Sequence, residues 1–213
     1  AVTNAQYDRF LAAMEAEGGD AWESVKLSGS RSPFLSEGFK GADQPVVMVS
    51  HGDALAFCRW MGHGVALPTE AQWEYACRAG ATTRYSCGDD MGPEHANFWG
   101  SVWEEGGVGV ASRTRAAGQY GANAFGLYDM HGNVWEWCAD WYGEGYYGNC
   151  RGREMEGELV VDPAGPPMGS CRVGRGGSWR TFGSSCRSAF RARFIPGIRN
   201  DILGFRVVAP LAP

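Results

Sequence analysis

Apolar positions recur with a helical period in three stretches of the chain. Tyr7, Phe10, Leu11 and Met14 share one face of a helix running from Thr3 to about Gly18. Thr3 with Gln6 forms a capping box at its start, and Gly18-Gly19 stops it. Ser50 caps a second helix whose apolar face is Ala54, Phe57, Cys58 and Met61, closed by Gly62. Thr69 with Gln72 opens a third, on which Trp73, Ala76 and Cys77 face the core before Gly80 ends it. Between the first two, Pro45–Val49 predicts a short apolar strand, and residues 20–45 read as a polar loop.

The second half follows a different rhythm. Trp135 and Trp137 alternate with Glu136, the period of a strand with one buried face, and Trp141 continues it. Arg172–Trp179 predicts a strand breaking into a glycine turn, and Leu203–Val208 a closing strand. Residues 81–125 and 142–171 carry no sustained period and read as long loops. Residues 180–202 follow neither period: Phe182, Phe190, Phe194, Ile195, Ile198 and Ile202 sit among Gly, Ser, Pro and Arg. An apolar cluster rimmed by arginine has the look of a binding surface. Exposure is expected for Phe194, Ile195 and Ile198, which flank Pro196-Gly197, whereas Phe190 is as readily a core plug. Arg187, Arg191, Arg193 and Arg199 are expected to brace the fold rather than bind an anion.

Composition narrows the function classes. A chain of 213 residues can bury a sizeable core. Thirty-two glycines and nine tryptophans point to irregular backbone pinned by large rings. The net charge of −5 offers no basic excess for nucleic acid. Seven cysteines without a CxxC pair, and four scattered histidines, give no zinc or thioredoxin motif. No run reaches transmembrane length. Nothing in the chain fixes a compartment. It begins at Ala1 without a methionine, so residues are expected to precede it.

One loop suits a hard cation. Asp129, Gly132, Asn133 and Glu136 crowd oxygen donors into a glycine-bent turn, the chemistry Ca2+ requires. A buried aromatic strand entered through a polar turn is the other reading of the same residues. Asn97, Glu104 and Glu105 also offer oxygens, in what reads as a solvated loop.

Five motifs run in order along the chain: Val2-Thr-Asn-Ala-Gln-Tyr7, Leu67-Pro-Thr-Glu-Ala-Gln-Trp-Glu-Tyr75, Asn123-Ala-Phe-Gly-Leu-Tyr-Asp-Met-His-Gly-Asn-Val-Trp-Glu-Trp137, Arg175-Gly-Gly-Ser-Trp179 and Gly204-Phe-Arg206. Together they resemble the formylglycine-generating-enzyme family, the sulfatase-modifying-factor domain. The resemblance implies one α+β domain over residues 1–213, of the C-type lectin fold. It is expected to hold a small twisted sheet, two to three helices and extensive irregular loops, and to lack the N-terminal strand that precedes the first motif in relatives. It also implies a structural Ca2+ held by the Asp129 and Glu136 side chains and the Gly132 and Val134 carbonyls. A second family calcium site would begin at Asn97 and Phe98, but Val108–Arg113 supplies no acidic partner.

Enzymes of the family oxidise a substrate cysteine to formylglycine with two copper-binding cysteines. Cys186 matches the second, and Thr181 stands where the first would be. A hydroxyl cannot replace a thiolate for Cu(I), so copper is not expected. The alternative is that Cys186 works with an unrecognised second ligand as a copper-dependent oxidase of this type.

Many bacterial relatives are Asn-rich in segment 180–202, where this chain holds Arg, Thr, Phe, Ser, Ile and Asp, so the segment is similar instead to variable proteins of diversity-generating retroelements, several of which use this fold. Randomising the adenines of an Asn codon never yields Lys, Glu, Gln, Met or Trp, and none of these occurs in 180–202. The resemblance implies a non-catalytic protein that binds a macromolecular ligand, a protein rather than a nucleic acid. Its contacts would be Arg180, Thr181, Phe182, Ser184, Ser185, Phe190, Ala192, Phe194, Ile195, Ile198, Asn200, Asp201 and Ile202.

Overall fold

The computed structural model describes residues 1–104, 107–109 and 112–210. Glu105 lies outside them, as does the side chain of Glu104. The helices are α1 (Asn4–Glu17), α2 (Gly19–Val25), α3 (His51–Met61), α4 (Glu70–Arg78) and α5 (Tyr146–Met155). The strands are β1 (Val102–Glu104), β2 (Gly107–Gly109), β3 (Trp135–Trp141), β4 (Arg172–Arg175), β5 (Ala192–Phe194) and β6 (Leu203–Phe205). β1 and β2 form a hairpin, and the main sheet runs β5-β4-β3-β6, with β6 parallel to β3 and the other pairs antiparallel.

The three periodic helices form where their caps predict. Thr3, Ser50 and Thr69 each make a capping box, so the first orphan amides of α1, α3 and α4 are satisfied by side chains. Period two also holds in β3, but both of its faces are covered. Trp135 and Trp137 join Tyr7, Phe10, Phe57, Leu203 and Phe205 in the main core. Cys138 meets Trp73, Cys77 and Val173 of the second layer, on the side where Glu136 receives the Trp73 indole N–H. The expectation of a single buried face is therefore corrected: α4 shields what would otherwise be the solvent side.

Pro45–Val49 is not a strand. Val46, Val47 and Val49 are fully buried, which explains their apolar character. Met48, however, takes φ +59°, a left-handed turn that breaks any ladder. Its amide donates to the Asn200 carbonyl instead, and that of Val46 to the Val2 carbonyl. Conversely, α2 and α5 fall in stretches read as loops, β1 and β2 in another, and β5 inside the aperiodic segment. β5 completes the sheet edge by pairing Ala192 with Gly174 and Phe194 with Arg172. Gly174 leaves a hollow for the Phe194 ring; a Cβ there would stand 2.6 Å from Phe194 Cε2.

Candidate binding face and the loop beneath it

After β4 the chain turns on Gly176 and Gly177, both at positive φ. Gly177 has no alternative, because a Cβ would collide with the Cys186 sulfur. Trp179 then anchors the turn: its amide donates to the Asn133 carbonyl (2.9 Å) and its indole to the Asp201 carbonyl (3.1 Å). A 3-10 turn over Gly183–Cys186 follows, held by a hydrogen bond from Tyr85 Oη to the Gly183 carbonyl.

From this base, the segment divides its side chains. Cys186 and Ser188 are fully buried. Arg191 grips the buried Glu70 with two bonds of 2.6 and 2.7 Å, and Arg199 grips Asp53 with two of 2.7 and 2.8 Å. The Pro196 carbonyl accepts from His51 N at the start of α3. Arg187 donates to the Ser184 carbonyl, whereas Arg193 lies over the Tyr142 ring. Of the thirteen positions predicted to contact a ligand, none is buried. Arg180, Phe182, Ser184, Ile195 and Ile198 are exposed. Thr181, Ser185, Ala192, Asn200 and Asp201 are half-buried. Phe190, Phe194 and Ile202 are half-buried and pack on the main core. The exposure expected of Phe194 is thus corrected. Its ring sits 6.0 Å from Trp135 and 5.8 Å from Trp137, because Gly174 opens the room.

Thr181 Oγ1 lies 3.9 Å from Cys186 Sγ. The hydroxyl is itself engaged, accepting from Ser178 N and donating to the Ser178 carbonyl. Burial pushes the Cys186 thiol up to about 12. As a copper site the pair is a poor fit: it offers a soft metal one sulfur, facing a hydroxyl already engaged in the turn. The Cys186 carbonyl accepts from His131 Nδ1 (2.8 Å), while His131 Nε2 accepts from Ser86 N (3.0 Å), which assigns the neutral Nδ1–H tautomer. Burial lowers the imidazole pKa and favours the same neutral form. All seven cysteines are free thiols.

The predicted calcium loop lies beneath the same turn, with Gly132 N donating to the Gly176 carbonyl. Asp129 and Asn133 adopt positive φ, so the loop is as sharply bent as its residues suggest. Asp129 Oδ2 accepts from Gly118 N (2.7 Å), and its Oδ1 is buried without a partner. Glu136 is different. Its Oε2 accepts from Trp73 Nε1 (2.6 Å) and Arg206 Nε (2.5 Å), its Oε1 from Arg206 Nη2 (2.9 Å), and the Ala1 amine stands 3.7 Å away. Arg206 also donates to the Tyr128 and Asp129 carbonyls. Burial is the largest single influence and would raise the Glu136 pKa, but the charges of Arg206 and the Ala1 amine, with the hydrogen bonds from Arg206 and Trp73, together outweigh it and hold the carboxyl below its usual range. This pairing bears on the calcium expectation. A divalent ion on Glu136 would sit against the guanidinium, and like unit charges repel by about 4 kcal/mol at ~4 Å. With Arg206 in place Glu136 is a poor ligand for Ca2+, whereas Asp129 keeps one buried oxygen without a partner.

Two residues that shape this region escaped the sequence reading. The pairing of Arg206 with Glu136 joins positions seventy residues apart, and no local pattern announces it. Trp99, in a stretch read as loop, donates its amide to the Thr181 carbonyl (2.9 Å) and sets its ring beside Phe182. An aromatic residue in a polar loop was its only signal.

A family described as "Sulfatase-modifying factor enzyme 1-like domain" matches residues 1–211. The chain is 37% identical to a protein named serine/threonine-protein kinase pkn1 from Chlamydia caviae, across 96% of this chain and 31% of that protein. It is 38% identical to the formylglycine-generating enzyme of Streptomyces coelicolor, across 90% of this chain and 61% of the enzyme. It thus spans less than two thirds of the length of either relative. The solved structure of Treponema denticola variable protein 1 has the same fold, with a TM-score of 0.69 at 24% identity over 97% of this chain and 81% of that one.

Proposed function

The chain belongs to the sulfatase-modifying-factor family, and from that premise we propose that it is a non-catalytic binding protein that displays a changeable surface on segment 180–202. The observation that carries the reading is the division of that segment. Its framework residues Cys186, Ser188, Arg191 and Arg199 turn inward onto buried partners, and none of the thirteen ligand-contact positions is buried. A scaffold pinned in this way tolerates replacement of the outward side chains, because they contribute little to stability. Thr181 in place of a second thiol beside Cys186 supports the absence of oxidase chemistry.

The first experiment is to sequence the DNA flanking the gene. The expected result is a near-copy of the codons for residues 180–206 that differs only at adenines, beside a reverse-transcriptase gene. Absence of any such copy refutes diversification. The binding assignment has its own test: a cysteine-containing sulfatase peptide incubated with the protein, copper and oxygen is expected to stay unmodified. Aldehyde formation would establish the enzyme instead.

A further inference from the structure

We propose that the binding face extends past segment 180–202 to Trp99, which with Phe182 forms an aromatic clamp for an apolar side chain carried on an acidic protein surface. This rests on the binding reading above. Trp99 and Phe182 are joined by a parallel backbone bridge, and their rings lie 6.3 Å apart at 64°. Both are exposed, Trp99 by 40% and Phe182 by 67%. Neither ring is on a loose tip. Trp99 N is bonded to the Thr181 carbonyl, and Phe98 and Ser101 close a turn around it through their amides. On the Phe182 side, Tyr85 Oη holds the Gly183 carbonyl. Two large rings kept in water on a rigid base leave apolar area that a partner would cover.

Charge selects the kind of partner. Segment 180–202 holds five arginines and one acid, Asp201, in a chain of net charge −5. Arg191 and Arg199 are neutralised by Glu70 and Asp53. Arg180 and Arg187, which bracket Phe182 in sequence, have no carboxylate partner among the described residues. They would pair with carboxylates set around the side chain held in the clamp. Single-stranded nucleic acid also meets aromatics and arginines. It favours open ring faces on which bases stack, however, and a pair of rings tilted at 64° on an acidic protein fits it poorly.

The test uses the whole chain, immobilised, against a phage-displayed library of random peptides of ~12 residues. The enriched peptides are expected to carry Asp or Glu beside a Leu, Phe or Trp. Trp99→Ala and Phe182→Ala should each weaken the best peptide at least about tenfold, with Trp99→Phe retaining most of the binding. Raising NaCl from ~0.05 to ~0.5 M should weaken it several-fold, and Arg180→Ala should flatten that salt response. Circular dichroism confirms that each variant is folded. Failure to enrich any sequence overturns the proposal, as do enriched peptides without acids, full affinity in folded Trp99→Ala, or displacement by an oligothymidylate. The two readings fail separately. A Trp99-dependent peptide without a neighbouring adenine-mismatched copy keeps the clamp and removes diversification; the copy with Trp99-independent binding does the reverse.

Discussion

Replacing Arg206 by methionine isolates the charge that holds the 129–136 loop. The substitution keeps much of the side chain's length but removes its bonds to both Glu136 oxygens and to the Tyr128 and Asp129 carbonyls. Glu136 stays almost fully buried, left with the Trp73 indole as its hydrogen-bond donor. Removing one partner of a buried ion pair costs about 3–5 kcal/mol, most of it the penalty on the abandoned charge. A chain of this size shifts by roughly 2–4 °C per kcal/mol, so calorimetry should show the melting temperature falling by about 6–20 °C. The loss has a pH signature. In the wild type the Glu136 pKa is held below its unfolded value, so its stabilisation is complete above that unfolded value and fades as pH falls through the folded one. In the variant, burial is opposed only by the Trp73 hydrogen bond and the Ala1 amine and pushes the pKa up, so the deficit is largest near neutral pH and narrows under acid. Adding Glu136→Gln to the variant should recover much of the loss. Chelating calcium should leave the wild-type melting temperature unchanged. A variant melting within about 2 °C of the wild type refutes the reasoning. So does a wild type that loses stability to chelator and regains it with Ca2+.

Other expectations follow from single sites. Asp140 is buried with Oδ1 unpartnered, and burial pushes its carboxyl up to about 6. Stability should therefore fall as pH rises from the unfolded value through the folded one. Asp140→Asn should flatten that window and melt higher than wild type at neutral pH, with a ceiling of about 3 kcal/mol; a lower melting temperature there refutes it. Thiol labelling read by mass spectrometry at about pH 8 should mark exposed Cys87 first and leave Cys186 unmodified in the folded protein, and equal rates would remove the buried-thiol assignment. Phe182→Ala and Ile195→Ser should each change unfolding free energy by less than about 0.5 kcal/mol, while Phe194→Ala costs about 1–3. Denaturant titration separates the three, and equal effects at 182 and 194 would contradict the division of the segment.

Much of this architecture is legible locally because its signals are local. Thr3, Ser50 and Thr69 announce helices through side chains three residues from their partners, and Trp135, Glu136 and Trp137 announce β3 by alternation. What escapes is set by distant contacts. α5 contains Gly148 and Gly152 with a single buried residue, Cys150, so no apolar face marks it. Pro45–Val49 is apolar because it is buried, yet Met48 turns left-handed to meet Asn200. β5 exists because Gly174, eighteen residues upstream of Ala192, offers both an edge and a hollow. At the site, the inward arginines are foreseen as braces, but which carboxylate each one finds is a property of the fold. Glu136 reads as a metal ligand from its loop alone, and its pairing with Arg206 is set by the fold.

The hollow over Gly174 sorts the segment into two kinds of position. A ring at 194 fills a space that exists only because residue 174 has no side chain, so every sequence drawn at 194 passes a folding filter before it meets any ligand. Positions 182, 184, 195 and 198 face water and pass no such filter. Under the proposed diversification, the usable repertoire would therefore be narrower than the mutable codons allow, and concentrated at the outward sites. A library built on this chain should randomise those sites freely and restrict 194 to large apolar side chains.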